Sequence, residues 1–345
     1  MNRRGALKLL GSTGTIAVAG CVSDGQPPAT DDSSPESSNN TSADSSTEAS
    51  GNTSDGSDSG ESDVDVEEAL EDAEDNIDRA VRLIEQETTF SFSIGPDASV
   101  STDAIHLALD QADEALDRIE SPTDVISEEE LQAYRDYVSV LREFTTGLET
   151  IGEALNTLST AEAYRNTQRY EDSIEKLDEA GGLFSDGSEP ITSARERLDG
   201  IEIDVVDTDA ISRTRTTEAF DELAELTDAY LIYTDATIPF YTGLELYWAA
   251  METYEDEEEY ADAEETFLEA SQHLSTAQTQ YLQAESEVPA SIRDVFIERT
   301  CAAGAMLDSA THMNDASAAA EGGNYENARE SENKAVDARN RSCWV

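Results

Sequence analysis

Three cysteines and three histidines are the strongest nucleophiles and metal ligands in this sequence: Cys21, Cys301, Cys343, His106, His273 and His312. Cys301 lies 21 residues before Gly322, and Cys343 lies 21 after it. If Gly322-Gly323 turns the chain between two helices running in opposite directions, equidistant residues come to one level. A disulfide needs Cα atoms within ~7 Å, and a Cys301–Cys343 bond is expected on this geometry. The histidines carry less. Asp103-x-x-His106 and Asp308-x3-His312 have helical spacing, but such pairs arise readily in a chain rich in aspartate. No His-Glu-x-x-His or Glu-x-x-His pattern accompanies them, so no metal site is assigned. The acidic run Glu255 to Glu259 reads as a solvated helix end. The sequence has no Walker phosphate loop, no dinucleotide glycine motif and no nucleophile-elbow serine. No catalytic residue and no cofactor is assigned, and a non-enzymatic protein is expected.

One run of aromatic residues stands out. Tyr233, Phe240, Tyr247 and Tyr254 recur every seven residues, and Tyr230, Thr237, Leu244 and Met251 repeat three positions earlier. This is the seam of a long helix, widened by Tyr241 and Trp248. It has two readings. One is a packed core. The other is a groove in which Tyr230, Tyr233, Tyr241, Tyr247, Trp248 and Tyr254 contact a peptide or glycan. Five tyrosines are many for a dry core, because each buried hydroxyl needs a partner.

The first residues point to export. Arg3 and Arg4 precede an uncharged run from Gly11 to Gly20, about half the ~20 residues of a membrane span. The segment resembles a twin-arginine signal of the form Ser/Thr-Arg-Arg-x-Phe-Leu-Lys, matching at Arg3, Arg4, Leu7 and Lys8 and departing at Asn2 and Ala6. Ala17-Val18-Ala19-Gly20-Cys21 resembles a lipobox, in which small residues admit a peptidase and the cysteine thiol takes a lipid. The resemblance implies that residues 1–21 are an export signal. Cys21 would then be a lipidated N-terminus holding the protein to the outer face of the cell membrane, stably if two acyl chains are present.

Residues 22–63 are rich in Ser, Thr, Asp, Gly and Asn and include Pro27, Pro28 and Pro35. They offer almost nothing to bury and are expected to form a disordered acidic tether. Asn39, Asn40 and Asn52 head glycosylation sequons. The whole chain has 77 acidic and 21 basic residues, a net charge of −56. Such charge makes a compact chain repel itself at low ionic strength. Molar salt shortens the Debye length to ~3 Å and screens the repulsion. The composition therefore resembles that of a halophile, and the chain as a whole resembles a haloarchaeal-type lipoprotein. Nucleic acid is not expected as a partner, since binding phosphates needs a basic face.

From Val64 onward apolar residues return at three- and four-residue steps, the period of amphipathic helices. Ala69, Leu70, Ala73, Ile77, Ala80, Val81 and Ile84 form one face; Leu107, Ala108, Ala112, Ala115, Leu116 and Ile119 form another. Between them, residues 88–100 read as a loop. A helix over 128–165 opens with a Ser127/Glu130 capping box. The next begins at Tyr170 and is expected to end near Gly181-Gly182 and Asp186-Gly187, with a short helix over 190–200. A long helix over 210–256 contains Pro239. Further helices are expected to Glu287, from Pro289 to Ala320, and over 324–341. The class is all-α, an array of long antiparallel helical hairpins, with 64–120 and 127–345 as its two parts.

Self-similarity appears within this body. Tyr260-x2-Ala263-x3-Phe267-x2-Ala270 is echoed by Tyr170-x2-Ser173-x3-Leu177-x2-Ala180 and by Tyr325-x2-Ala328-x3-Glu332-x2-Ala335. Nine residues before each leading tyrosine stand Met251, Ala161 and Ala316. The spacing resembles the second helix of a tetratricopeptide repeat. The units recur after 90 and 65 residues (260 − 170 and 325 − 260), not ~34, so the resemblance is to tetratricopeptide-like, irregular hairpins. The expected function is a helical scaffold or protein-binding module on the cell surface, with another envelope protein as partner. The competing expectation is a lipoprotein that captures a ligand or metal for a transporter.

Overall fold

The structure is a computed structural model and describes residues 61–90, 100–201, 213–255 and 259–343. The helices among these residues run, in chain order, α1 (Glu61–Phe90), α2 (Asp103–Asp117), α3 (Glu128–Asn166), α4 (Tyr170–Gly200), α5 (Arg213–Glu255), α6 (Tyr260–Ala284), α7 (Arg293–Glu321) and α8 (Tyr325–Arg339). From α3 onward each helix packs on the next, and α1 with α2 lies against α3 and α5. The result is a stacked all-α array, built because each amphipathic helix must bury its apolar stripe against a neighbour.

Local signals account for two of the helix starts and one turn. Ser127 caps α3: its hydroxyl accepts from the Glu130 N–H and the Glu130 carboxylate accepts from the Ser127 N–H, so two unpaired donors are satisfied at once. Asn324 caps α8 by accepting the Asn327 N–H. Before α8 the chain turns at Gly323, whose φ of +74° costs a glycine nothing. The expected face of α1 is buried except for Leu70, which is half-buried, and α1 continues through residues 88–90, which the sequence assigned to a loop.

Three expectations need correction. Leu107 is 51% exposed, and Ile105 and Leu109 fill the core positions beside it. The glycines of α4 do not end the helix, which runs unbroken through Gly181, Gly182, Gly187 and Pro190 to Gly200. Gly187 is a contact residue instead. A Cβ there would stand 2.8 Å from Ile151 of α3, and one on Gly147 of α3 would stand 2.8 Å from the Gly187 carbonyl oxygen. Pro190 leaves the carbonyl of Asp186 without a helical N–H, but Asp186 is exposed and water can serve it. Finally, α7 begins at Arg293 rather than at Pro289, because Pro289 opens a turn whose carbonyl accepts from Ile292.

The internal repeat is visible as a register of burial. Ser173, Leu177, Ala180, Phe184, Gly187, Ile191 and Ala194 are buried in α4, and the residues 90 positions on, Ala263, Phe267, Ala270, Leu274, Ala277, Tyr281 and Ala284, are buried in α6. For α3 and α5 the offset is 89: Phe144, Leu148, Ile151, Leu155, Leu158 and Ala161 correspond to Tyr233, Thr237, Phe240, Leu244, Tyr247 and Ala250. Residues 167–169 join the first pair and 256–259 join the second, one residue more, which accounts for the change. Ala161 therefore matches Ala250 and not Met251.

Candidate functional site

Most acids of the body face water, but one is drawn inside. Glu162 stands near the C-terminal end of α3, with its side chain 15% exposed. Its Oε1 accepts hydrogen bonds from Tyr233 Oη at 2.9 Å, Tyr241 Oη at 2.7 Å and Arg299 Nη2 at 2.8 Å. Its Oε2 faces Arg165 Nη2 at 2.6 Å. The tyrosines come from α5, Arg165 from one turn further along α3, and Arg299 from α7. Aromatic rings wall the cluster. Arg299 stands 5.7 Å from the Tyr233 centroid and Arg165 6.0 Å from that of Tyr241, within cation–π range. Phe296 and Tyr281 pack on Tyr233, and the Tyr281 hydroxyl pairs with Thr237 at 2.6 Å.

Burial alone pushes the Glu162 carboxyl up, but Arg299, Arg165 and the two tyrosine hydroxyls outweigh it and hold the group at about 2. The same surroundings raise Arg299 despite its burial, and burial first, then the neighbouring carboxylate, raises Tyr233 and Tyr241. Glu162 is thus a fixed anion near neutral pH, with no proton to donate and with Oε1 already accepting three hydrogen bonds. This suits a lock and not an acid–base catalyst. The lock joins α3 to α7 across the intervening α5.

The aromatic stripe is core. Tyr230, Tyr233 and Tyr241 are 0% exposed and Tyr247 is 1% exposed, so none of the four forms a binding face. Their hydroxyls do find partners inside, as Tyr233 and Tyr241 do on Glu162 and Tyr247 does on Ser309 at 3.0 Å. Tyr230 stacks on Phe184 with centroids 5.1 Å apart. Trp248 and Tyr254 are half-buried against α8: Arg339 lies over Trp248, and Tyr254 donates to Glu332 at 2.6 Å. The groove reading is overturned because the seam faces α4, α6 and α7, not solvent.

The thiols meet as expected. Cys301 and Cys343 are bonded, with Cα atoms 5.4 Å apart, so the segment after α8 is tied to α7. His106 Nε2 lies 2.8 Å from Glu149, which also accepts from Thr102 at 2.7 Å, a contact between α2 and α3. His273 and His312 are half-buried. Among the described residues no group of three or more His, Cys, Asp or Glu is placed to hold a metal ion, and no helix is long and apolar enough to cross a membrane. A shallow groove between α3 and α4 is lined by Glu143, Thr146, Glu189, Pro190 and Ser193, with Glu143 paired to Arg197 at 2.6 Å. Arg3, Arg4, Cys21, Asn39, Asn40, Asn52 and the tether over 22–63 lie outside the described residues.

Sequence reasoning missed the Glu162 cluster. Glu162 and Arg165 look like any surface pair three residues apart, and Arg299 is 137 residues away. The available signal was Tyr233 and Tyr241, buried hydroxyls in need of an acceptor.

Compared with known protein families, characterised proteins and solved structures, the chain matches none.

Proposed function

We propose that this chain is a non-enzymatic surface lipoprotein whose helical array acts as a scaffold or docking module for another envelope protein. The observation that carries the reading is the clamp of Glu162, Arg165 and Arg299. It joins α3 to α7, four helices further along the stack, and so favours one fixed shape over independent movement of helix pairs. A fixed, extended helical surface is what a docking module needs, as in helical-repeat proteins. On this reading α3–α4, α5–α6 and α7–α8 are three tetratricopeptide-like hairpins, and α8, with few buried residues and a polar outer face, is the terminal cap. Cys21 carries the lipid, residues 22–63 hold the body away from the membrane, and the acidic surface keeps it soluble in concentrated salt.

Two experiments test this. A Cys21→Ala chain is expected to be exported and shed into the medium; firm retention on the membrane overturns the anchor. Chemical cross-linking on intact cells at high salt is expected to join the body to an envelope protein. Recovery without any envelope neighbour overturns the scaffold.

A further inference from the structure

The segment after α8 carries a motif found nowhere else among the described residues. Asn340-Arg341-Ser342 is an Asn-x-Ser sequon with a residue other than proline in the middle. None of the other asparagines among the described residues has serine or threonine two positions on. Three-residue motifs arise readily by chance. What sets this one apart is where the fold puts it.

α8 ends at Arg339, and residues 340–343 are not helical. A transferase must grip the backbone around its acceptor, and a helix, with its amides tied to its own carbonyls, does not offer one. Asn340, Arg341 and Ser342 are all exposed. No hydrogen bond among the described residues occupies the Asn340 carboxamide or the Ser342 hydroxyl. Arg341 is held to Asp308 of α7 at 2.7 Å and Cys343 is bonded to Cys301, so the folded chain keeps the motif on display along α7. Capping does not account for the asparagine. Asn is favoured after a helix where the backbone enters the left-handed region, and Asn340 has a φ of −86°. Asn324, by contrast, uses its side chain to cap α8.

We propose that Asn340 is an N-glycosylation site. In the transfer, Asn340 Nδ2 bonds to the anomeric carbon of a sugar carried on a polyprenyl phosphate or pyrophosphate. The C–O bond to the carrier breaks, the phosphate leaves with the electron pair, and the amide loses one proton. Nothing is oxidised or reduced. Ser342 supplies the hydroxyl that the sequon requires. The product is a bulky, solubilising group on the outer edge of the third hairpin. That is the end of the array where α8 is read as the terminal cap, and such a cap needs a polar outer face. The inference rests on the export of the chain, since a sequon is used in a protein that leaves the cell.

The test is mass spectrometry of the full chain purified from the cells that make it. After the Cys301–Cys343 bond is reduced and alkylated, cleavage at glutamate releases residues 333–345 as one peptide, because Glu332 precedes it and no glutamate lies within it. The peptide is expected to exceed its sequence mass by whole sugar residues, with the added mass on Asn340. Ser342→Ala keeps Asn340 in place and is expected to return the peptide to its sequence mass, as is Asn340→Gln. Both positions are exposed, so helicity by circular dichroism is expected to be unchanged. A peptide at its sequence mass in a chain that has been cleaved before Cys21 overturns the proposal and leaves export standing. A peptide at its sequence mass in a chain that still begins at Met1 overturns both. Sugar that persists on the Ser342→Ala chain also overturns the proposal, because the sequon is then not what is read.

Discussion

Replacing Glu162 by glutamine is the sharpest probe of the clamp. The variant keeps the size of the side chain but removes the negative charge that Arg165 and Arg299 share. In the folded chain the carboxyl is held at about 2, against an ordinary value of 4.5. A depressed carboxyl contributes stability that is fully present above its unfolded value and is lost as the pH falls through its folded value. Here that window runs from about 4.5 down to about 2. The gap of about 2.5 corresponds to roughly 3 kcal/mol at neutral pH, and breaking a buried pair by removing one partner costs about 3–5 kcal/mol. The side chain is 15% exposed, so screening by water removes little of this. The assay is urea unfolding followed by circular dichroism, in molar salt, from pH 7 to pH 2, with wild type and Glu162→Gln side by side. Many other acids titrate over the same range, but they do so in both proteins, so the difference is what counts. It is expected to be about 3 kcal/mol at pH 7 and to shrink to a small fraction of that near pH 2, where about half of the wild-type groups are neutral. A difference under about 1 kcal/mol at pH 7 refutes the clamp, and one that does not change with pH refutes its ionic origin.

Three further outcomes follow from the packing. Cys343→Ser opens a 42-residue loop, for which chain entropy gives about 4 kcal/mol; hydrogen exchange is expected to show α8 losing protection before the other helices. Gly147→Leu drives a side chain into the Gly187 carbonyl and Ile191 of α4 and is expected to cost upwards of about 2 kcal/mol, measured as a lower urea midpoint. Arg142→Gln removes the cation between Asp110 and Asp113, both at 2.7–3.2 Å from it, and these exposed groups respond to screening; its destabilisation is expected to be larger in dilute than in molar salt, whereas that of Glu162→Gln is expected to hold in both.

Helix content was legible because period and caps are local. Ala69 through Ile84 show their face in the sequence, and the Ser127/Glu130 box marks a helix start without any knowledge of the rest. The failures came where one residue type serves two ends. Gly187 reads as a helix breaker, yet its missing side chain is what lets α3 and α4 approach. Leu107 fits an apolar stripe, yet the stripe has a boundary and Leu107 lies beyond it. The disulfide could be placed because a glycine turn makes the geometry one-dimensional. The Glu162 cluster could not, since α3, α5 and α7 meet there only through the stacking of the whole array.

The scarcity of cations explains where they sit. The many acids carried by these closely packed helices repel most where two helices face each other across a seam. Arginines occupy those seams. Arg118 of α2 meets Asp72 of α1, Arg142 of α3 meets Asp110 and Asp113 of α2, and Arg197 of α4 meets Glu143 of α3. Arg195 of α4 meets Asp221 of α5, and Arg215 of α5 meets Asp78 and Glu85 of α1. Arg299 carries the pattern to a non-neighbour, and Arg341 repeats it beside the disulfide with Asp308. Arginine suits this use better than lysine, because its rigid fork can hold two carboxylates from different turns. Each exposed pair contributes little alone, but together they place opposite charge where helices must approach and leave the like charge facing water.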